Sequence, residues 1–383
     1  MSKKVLLVTR VSGFVPQFEM NNVKILQEMG YEIHYAANYN TVVYGNDNKR
    51  LEGTGIKKHH IPFGRSPFSL DVWHCYKELK ALMQKEKFDL VHCHMPMTGI
   101  LARKAAQKVR NMTGRNVPVI YTAHGFHFFS GAPAKNWIYY FPERHYARYT
   151  DRLILINQED VERGRTFPVR GKVEYIPGVG MKPMPDPDPA FDLRKAYGIP
   201  EENKAVVSVG ELTPLKNHMT VIKAMEYLRD EPVSYVICGQ GPLEEELHRA
   251  VKELHLEEKV IFAGYCTNVP DVLRQADLFA FPSKREGLSV AMMEAMQAGL
   301  PVMAADIRGN KDLIENEKGG FLFLGNRVED YVRTIRYFMD HPNEGIRMGE
   351  WNKERVKEFS LEPVEQRMRR IYADCLAEGG RHE

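Results

Sequence analysis

Twelve short runs of β-branched and aliphatic residues punctuate this chain, with amphipathic stretches between them, and they fall into two sets of six. The first set is Val5–Thr9, Glu32–Ala36, Leu90–Cys93, Val117–Thr122, Arg152–Ile156 and Val173–Ile176. The second is Ala205–Val209, Ser234–Cys238, Val260–Ala263, Leu278–Phe281, Val302–Ala304 and Gly320–Phe323. Alternation of this kind predicts parallel sheets covered by helices on both faces, an α/β class. The clearest helical periodicities are Asn21–Met29, Gly99–Arg110, Ser289–Ala298, Val328–Met339 and Leu361–Leu376. A chain of 383 residues also exceeds what one core usually holds, about 250–300 residues.

The two sets are separated by Ile176–Ala190, IPGVGMKPMPDPDPA, with five prolines and two glycines. Proline fixes φ and removes a donor, so this stretch reads as a semi-rigid connector. The expected domains are 1–178, a linker 179–190, a second domain 191–361, and an amphipathic helix over 362–383 with Val364, Met368, Ile371 and Leu376 on one face. Two such halves leave a cleft where strand ends converge, the place where open α/β sheets bind ligands.

The formal charge of +3 hides an asymmetry: residues 1–180 carry +11 and residues 181–383 carry −8. A basic half points to an anionic partner. Between residues 101 and 150 there are eight Lys and Arg against one acid, with Arg103, Lys104, Lys108, Arg110 and Arg115 on or just after one helix. Two readings stay open for them, a solvated basic face or a patch for an anionic membrane surface. The five cysteines, odd in number and without metal spacing, read as reduced thiols. The run Val5–Val8 is too short for a signal peptide, and no stretch has the ~18 apolar residues of a spanning helix. A cytoplasmic protein is expected, peripheral on the membrane at most.

The most informative segment is Phe281–Val302, FPSKREGLSVAMMEAMQAGLPV. A strand ends, a polar loop carries Glu286, and Gly287-Leu288-Ser289 lead into a helix containing Glu294. Free amides in a helix's first turn hold a diphosphate without any side chain. Carboxylates suit vicinal sugar hydroxyls because one group accepts from both. Two glutamates alone read better as a solvated helix face. Val206–Met219, VVSVGELTPLKNHM, places Gly210, Glu211 and Lys216 after another strand, and Ser234–Leu247 contains Gly239-Gln240-Gly241-Pro242 between strand and helix. A lone Gly-x-Gly is a weak signal, since it also serves merely to join the two elements.

Taken together, these segments resemble the family 4 retaining glycosyltransferases, whose GT-B fold pairs two Rossmann-like domains, and in particular bacterial capsule and exopolysaccharide transferases. The resemblance implies that Glu294 binds the nucleotide ribose, Glu286 contacts the donor sugar, and the Gly287-Leu288-Ser289 amides meet the diphosphate. It implies a phosphate role for Lys216 and donor-side positions for Glu211, Gly241 and Gly264. The family often carries an arginine near Glu211, so here the phosphate contact leans on Lys216 and backbone amides. It also implies that Asp306–Asp312 (DIRGNKD) closes near the donor sugar, and that the final helix crosses back onto the first domain.

In the first half, Ser12-Gly13 follows the first strand where the family has two glycines, and the resemblance gives Gly13 a donor-phosphate contact. Two later strands end in LVHCHMP and YTAHGFHF, carrying His92, His94, His124 and His127. The family match singles out His124 as the residue beside the transferred sugar; the other three fit cleft walls or satisfied core positions equally. A metal is not expected, because no carboxylate or cysteine set completes the histidines. The literal Asp186-Pro187-Asp188 lies in the Pro-rich connector with no strand to present it.

The resemblance therefore implies transfer of a hexosyl or N-acetylhexosaminyl group from a nucleotide sugar, a UDP-sugar by expectation, to a glycan or lipid-linked acceptor. Retention of configuration, no metal or cofactor and no nucleic-acid partner are part of the same expectation. A nucleotide-sugar epimerase of the same fold and a non-catalytic nucleotide-binding partner are the alternatives. A nicotinamide oxidoreductase is disfavoured, because no Gly-x-Gly-x-x-Gly follows either first strand. Acceptor choice would depend on the loops Tyr39–Phe68 and Ser130–Arg144.

Overall fold

Val5, Leu6, Leu7 and Val8 are all fully buried, which a strand achieves only when both faces of its sheet are covered. The computed structural model describes residues 3–44, 47–64 and 71–379. They divide into two units, Met1–Gly180 with Leu361–Glu383, and Met181–Ser360.

The first unit is a parallel sheet of β1 (Lys3–Val11), β2 (Tyr31–Asn38), β3 (Lys57–His60), β4 (Leu90–His94), β5 (Val119–Ala123), β6 (Arg152–Leu155) and β7 (Lys172–Tyr175). The spatial order is β3-β2-β1-β4-β5-β6-β7. The order reverses between β1 and β4, the switch point at which doubly wound sheets open a crevice at their carboxyl ends. Alternate residues of β1 serve different layers. Leu6 and Val8 join a core with Leu79, Leu101 and Ala105. Val5 and Leu7 pack with Val364, Met368, Ile371 and Tyr372 of the helix Leu361–Gly379. That last helix therefore belongs to the core of the first unit.

The second unit repeats the plan with β8 (Lys204–Val209), β9 (Val233–Cys238), β10 (Val260–Gly264), β11 (Leu278–Phe281), β12 (Val302–Ala305) and β13 (Gly320–Phe323). Its order, β10-β9-β8-β11-β12-β13, is all parallel and reverses between β8 and β11. Ala205 and Val207 face one core layer, and Val206 the other.

All twelve expected strands are present, with ends shifted by at most two residues. The thirteenth, β3, lies in the expected loop Tyr39–Phe68, of which residues 45–46 and 65–68 lie outside the described residues. Its sequence, Lys57-Lys58-His59-His60, has no apolar alternation because it is an edge strand, mostly exposed. At the two ends of the second unit's chain segment, Met181 bridges to Ser360 and its amide donates to the Phe359 carbonyl at 2.8 Å. All five cysteines carry free thiols. No helix among the described residues is long and apolar enough to cross a membrane.

The expected basic face is corrected. The helix runs Pro96–Thr113, and Arg103 and Arg110 point inward rather than to solvent. Arg103, fully buried, lies 2.9 Å from Glu143 and 4.0 Å over the Tyr121 ring, while Arg110 pairs with Asp151. Arg115 reaches Asp89 at 3.6 Å. Of the five cations, Lys104 and Lys108 remain as exposed side chains. Charge composition cannot reveal that two arginines neutralise acids inside the fold.

Candidate functional site

In the second unit the loops leaving β8 and β11, the two strands flanking the switch point, are tied together. The Lys284 amide donates to the Leu215 carbonyl at 2.9 Å, and Asn217 Nδ2 donates to the Pro282 carbonyl at 3.3 Å. Asn217 has a φ of 59°, a left-handed conformation that Asn tolerates better than most residues. Beneath these loops runs a buried polar string. His218 Nδ1 lies 3.3 Å from Tyr235 Oη, which donates to Ser208 Oγ at 2.8 Å, and Ser208 Oγ donates to the Ala280 carbonyl. Burial lowers the His218 pKa to about 4, so the ring is neutral at pH 7 and adds no charge beside Lys216.

Across the tied loops Lys216 Nζ meets Glu286 Oε1 at 2.8 Å, with both side chains mostly buried. The same ammonium lies 5.1 Å from the centre of the Phe281 ring, and Ser283 Oγ donates to Glu286 Oε1. The two residues to which the family resemblance gives phosphate and sugar roles are thus partners in this state. A bound polyanion would compete with Glu286 for the lysine, freeing the carboxylate to accept from hydroxyls.

Ser289 caps the helix Val290–Ala298, its Oγ accepting from the Met292 amide at 3.3 Å. The capped end puts the residues Gly287, Leu288 and Ser289 just ahead of a first turn whose amides and dipole favour negative charge. Glu294 follows in the next turn, half-buried, with no hydrogen-bond or ion-pair partner among the described residues. Desolvation raises its pKa. A half-buried carboxyl left unpaired is costly unless something binds it.

Glycines close the rest of the site. A Cβ at Gly241 would sit 2.6 Å from the Leu212 carbonyl oxygen, and the Leu243 amide donates to that oxygen at 3.0 Å. The Gly239-Gln240-Gly241 turn therefore packs against the β8 loop, which accounts for its glycines without a ligand. Gly264, with φ 65°, ends β10 and accepts from the Gly239 amide at 2.7 Å. The Glu211 side chain is exposed. Two residues not singled out from the sequence also enter. Arg308, mostly buried, donates from Nε to the Glu286 carbonyl at 3.3 Å. Asn326 Nδ2 donates to the Pro282 carbonyl at 2.5 Å. Arg308 belongs to the Asp306–Asp312 segment expected near the donor sugar, and Gly309 of that segment packs on the Gly287 carbonyl. Asn326 carried no sequence signal beyond membership of a polar loop after a strand, and Arg308 none of its own beyond membership of the Asp306–Asp312 segment.

The first unit treats its switch point differently. The Gly13 amide donates to the Val42 carbonyl at 2.8 Å, and a Cβ there would lie 1.8 Å from the Val43 oxygen. Close packing accounts for this glycine, and its amide is engaged in this conformation. His92, His94 and His124 are successive neighbours, with ring centroids 4.3 Å and 5.4 Å apart. His92 Nδ1 meets Tyr372 Oη at 2.9 Å and its Nε2 meets Thr122 Oγ1 at 2.8 Å, while His94 Nδ1 meets His124 Nε2 at 3.2 Å. Burial lowers all three pKa values, to about 3 for His92 and about 4 for His124. His124 is partly open to solvent and touches Phe14 edge-on at 5.1 Å. His127 stands apart, its ring 4.9 Å from Tyr139.

The carboxylate that sequence reasoning found lacking is supplied by the fold. Glu19 lies 3.6 Å from His94 Nδ1, and burial raises its pKa to about 7 against the stabilising bond from Asn22. Glu19, His92 and His94 bring possible ligand atoms within 4.8 Å of one another. Both nitrogens of His92 are already bonded, so a cation there would have to displace Tyr372 or Thr122.

Residues 21–178 match the model for glycosyltransferase family 4, and residues 190–355 match that for glycosyl transferases group 1. The chain is 32% identical to the putative glycosyltransferase EpsD of Bacillus subtilis (strain 168), with 97% of each chain covered. It is 30% identical to the UDP-Gal:alpha-D-GlcNAc-diphosphoundecaprenol alpha-1,3-galactosyltransferase of Escherichia coli, with 78% of each covered. Among solved structures it is similar to Anabaena Alr3699/HepE in complex with UDP and glucose, with a TM-score of 0.76 at 18% identity, covering 97% of this chain and 100% of that one. Sucrose-phosphate synthase of Thermosynechococcus elongatus gives a TM-score of 0.79 at 17% identity, covering 98% and 100%.

Proposed function

Because this chain belongs to the family 4 glycosyltransferases of the GT-B fold, we propose that it transfers a hexosyl or N-acetylhexosaminyl group from a UDP-sugar to a lipid-linked or glycan acceptor, with retention of configuration, in bacterial exopolysaccharide or capsule synthesis. The observation that carries the proposal is the arrangement at the β8/β11 switch point. The β8 loop carries a cation, the β11 loop bonded to it leads into a capped helix N-terminus, and that helix carries a half-buried carboxyl without a partner among the described residues. The two relatives are both transferases, one of them named for a UDP-sugar donor and a lipid diphosphate acceptor, which supports the donor and acceptor classes and gives no support to an epimerase.

In this mechanism the helix amides and Lys216 stabilise the departing diphosphate. A preorganised donor of this kind contributes about 3–4 kcal/mol when charge develops on the leaving group. Glu286, released from Lys216, accepts from donor-sugar hydroxyls, and Glu294 accepts from the ribose. His124 is uncharged above its pKa of about 4, so it orients a hydroxyl without competing as a cation for the phosphates. The leaving phosphate takes the acceptor proton, so no side-chain nucleophile is required.

The test is a panel of radiolabelled nucleotide sugars incubated with cell-derived lipid acceptors and separated by thin-layer chromatography. Label moved from one UDP-sugar into the lipid fraction is expected, and proton NMR of the product reports the anomeric configuration. A free epimerised nucleotide sugar, or no acceptor-dependent product from any donor, would contradict the proposal.

A further inference from the structure

One wall of the first unit carries large apolar side chains that no described residue covers. The segment Ala134–Tyr139 and the helix Tyr140–Ala147 bury Glu143 and Ala147 beneath them. On the other face Ile138 is 65% exposed and Phe141 70% exposed, with Trp137 and Tyr139 beside them. Contiguous apolar surface of this kind marks an interaction site on a folded protein. Here it is concave, bounding a groove of about 750 Å³, within the ~300–1,000 Å³ range of small-molecule sites.

Across the groove stand Pro96, Met97 and Ile100 from the start of the helix Pro96–Thr113, with Phe126 and Phe128 at the base. The polar groups are few. His124 and His127 line one part, Lys104 lies on the rim, and the Glu143 carboxylate is neutralised by Arg103 at 2.9 Å. Among the described residues the wall is therefore a hydrocarbon surface with a cation and no uncompensated acid. That complements a molecule with an anionic head and a long apolar tail.

We propose that this groove holds the hydrocarbon tail of a lipid diphosphate acceptor, with the diphosphate toward Lys104 and the sugar it carries toward His124. The inference rests on the transferase function proposed above and deepens it, because it assigns the acceptor's lipid rather than its glycan to a defined surface. The transferred group reacts at the head, and the tail supplies binding and register.

The probe is tritiated geranylgeranyl diphosphate below its aggregation concentration, against inorganic diphosphate, in equilibrium dialysis with the full chain. Quenching of tryptophan fluorescence is followed in parallel, since Trp137 lies 6.2 Å from Phe128 of the groove. The wild type is expected to bind the lipid diphosphate about tenfold or more tighter than diphosphate alone, and the double variant Ile138→Ser/Phe141→Ser to lose that advantage. Both side chains are exposed, so the variant keeps the fold, and UDP affinity measured on the same sample checks this. A second variant, Ile100→Trp, fills the groove from the opposite wall and is expected to lower lipid affinity in the same way.

Equal binding of tailed and tailless diphosphate would overturn the proposal. So would a double variant whose only defect is weaker binding to phosphatidylglycerol vesicles, which would make the occupant a bilayer. A variant that only dissociates a dimer in sedimentation would make it a second copy of the chain. Tail-dependent binding without UDP binding would leave the groove standing and refute the transferase reading; UDP binding without tail dependence would do the reverse.

Discussion

The two units share one topology and use it in opposite ways. Each reverses strand order between its first and fourth strands in sequence, the first discounting only an extra edge strand β7. In the second unit the switch point keeps groups in reserve: a half-buried Glu294 without a partner among the described residues, and a Lys216–Glu286 pair that a polyanion could open. In the first unit most of the corresponding polar groups are engaged with one another, from Glu19 through His94 to His124, with His92 held by Tyr372 and Thr122, while His94 Nε2 and Ser12 Oγ have no partner among the described residues. The difference teaches that topology fixes where a crevice can form, and that side-chain pairing decides whether it is open to a ligand.

The largest expected effect breaks the first unit's internal pairing. Arg103→Met leaves Glu143 buried with Tyr121 as its remaining partner at 2.9 Å, and loss of one member of a buried pair costs about 3–5 kcal/mol. Urea unfolding should show that loss, with Glu143→Gln in the same chain recovering much of it. A similar magnitude, read in rate instead of stability, attaches to the second unit. Lys216→Ala should lower kcat about 100- to 1,000-fold, measured by UDP release, with a smaller change in UDP affinity. If Lys216→Ala altered stability and not rate, the contrast between a reserved and a closed switch point would fail.

A pH experiment sharpens the same contrast. Burial raises the Glu19 pKa from 4.5 to about 7, so the folded state holds a proton that the unfolded state has released. Stability from this group is therefore full below pH 4.5 and declines as pH rises to about 7. Above that, ionising the buried carboxyl costs about 3 kcal/mol. Glu19→Gln should raise the melting temperature relative to wild type at pH 8, with the gap closing toward pH 4.5. The histidines act in the other sense: their folded pKa values lie below 6.5, so their stabilisation is lost as pH falls through that value toward 4. A pH-independent gap for Glu19→Gln would mean that the carboxyl is not desolvated.

Much of the second unit was legible in the sequence because its chemistry is local. Glu286, Ser289 and Glu294 lie within one strand-loop-helix segment, and Lys216 within another, so contiguous residues were enough for the family resemblance to single them out, where the glutamates alone would read as a solvated face. The Lys216–Glu286 contact, 70 residues apart, was not legible, nor was Arg308 behind the Glu286 carbonyl. The first unit was less readable. Glu19 precedes His94 by 75 residues, and only the folded sheet brings them together. Arg103 and Arg110 looked like surface charge because their partners, Glu143 and Asp151, lie 40 and 41 residues away. The edge strand Lys57–His60 carries no apolar pattern because one side of it has no neighbour.

The smallest of these effects bears most directly on the claim that the reserved carboxyl of the second unit reads the nucleotide. A hydrogen bond to a charged group contributes about 1.5–3 kcal/mol, so in calorimetric titration with UDP the Glu294→Ala variant should bind about tenfold or more weakly, with its melting temperature close to wild type. Wild-type affinity for UDP in that variant would contradict the account.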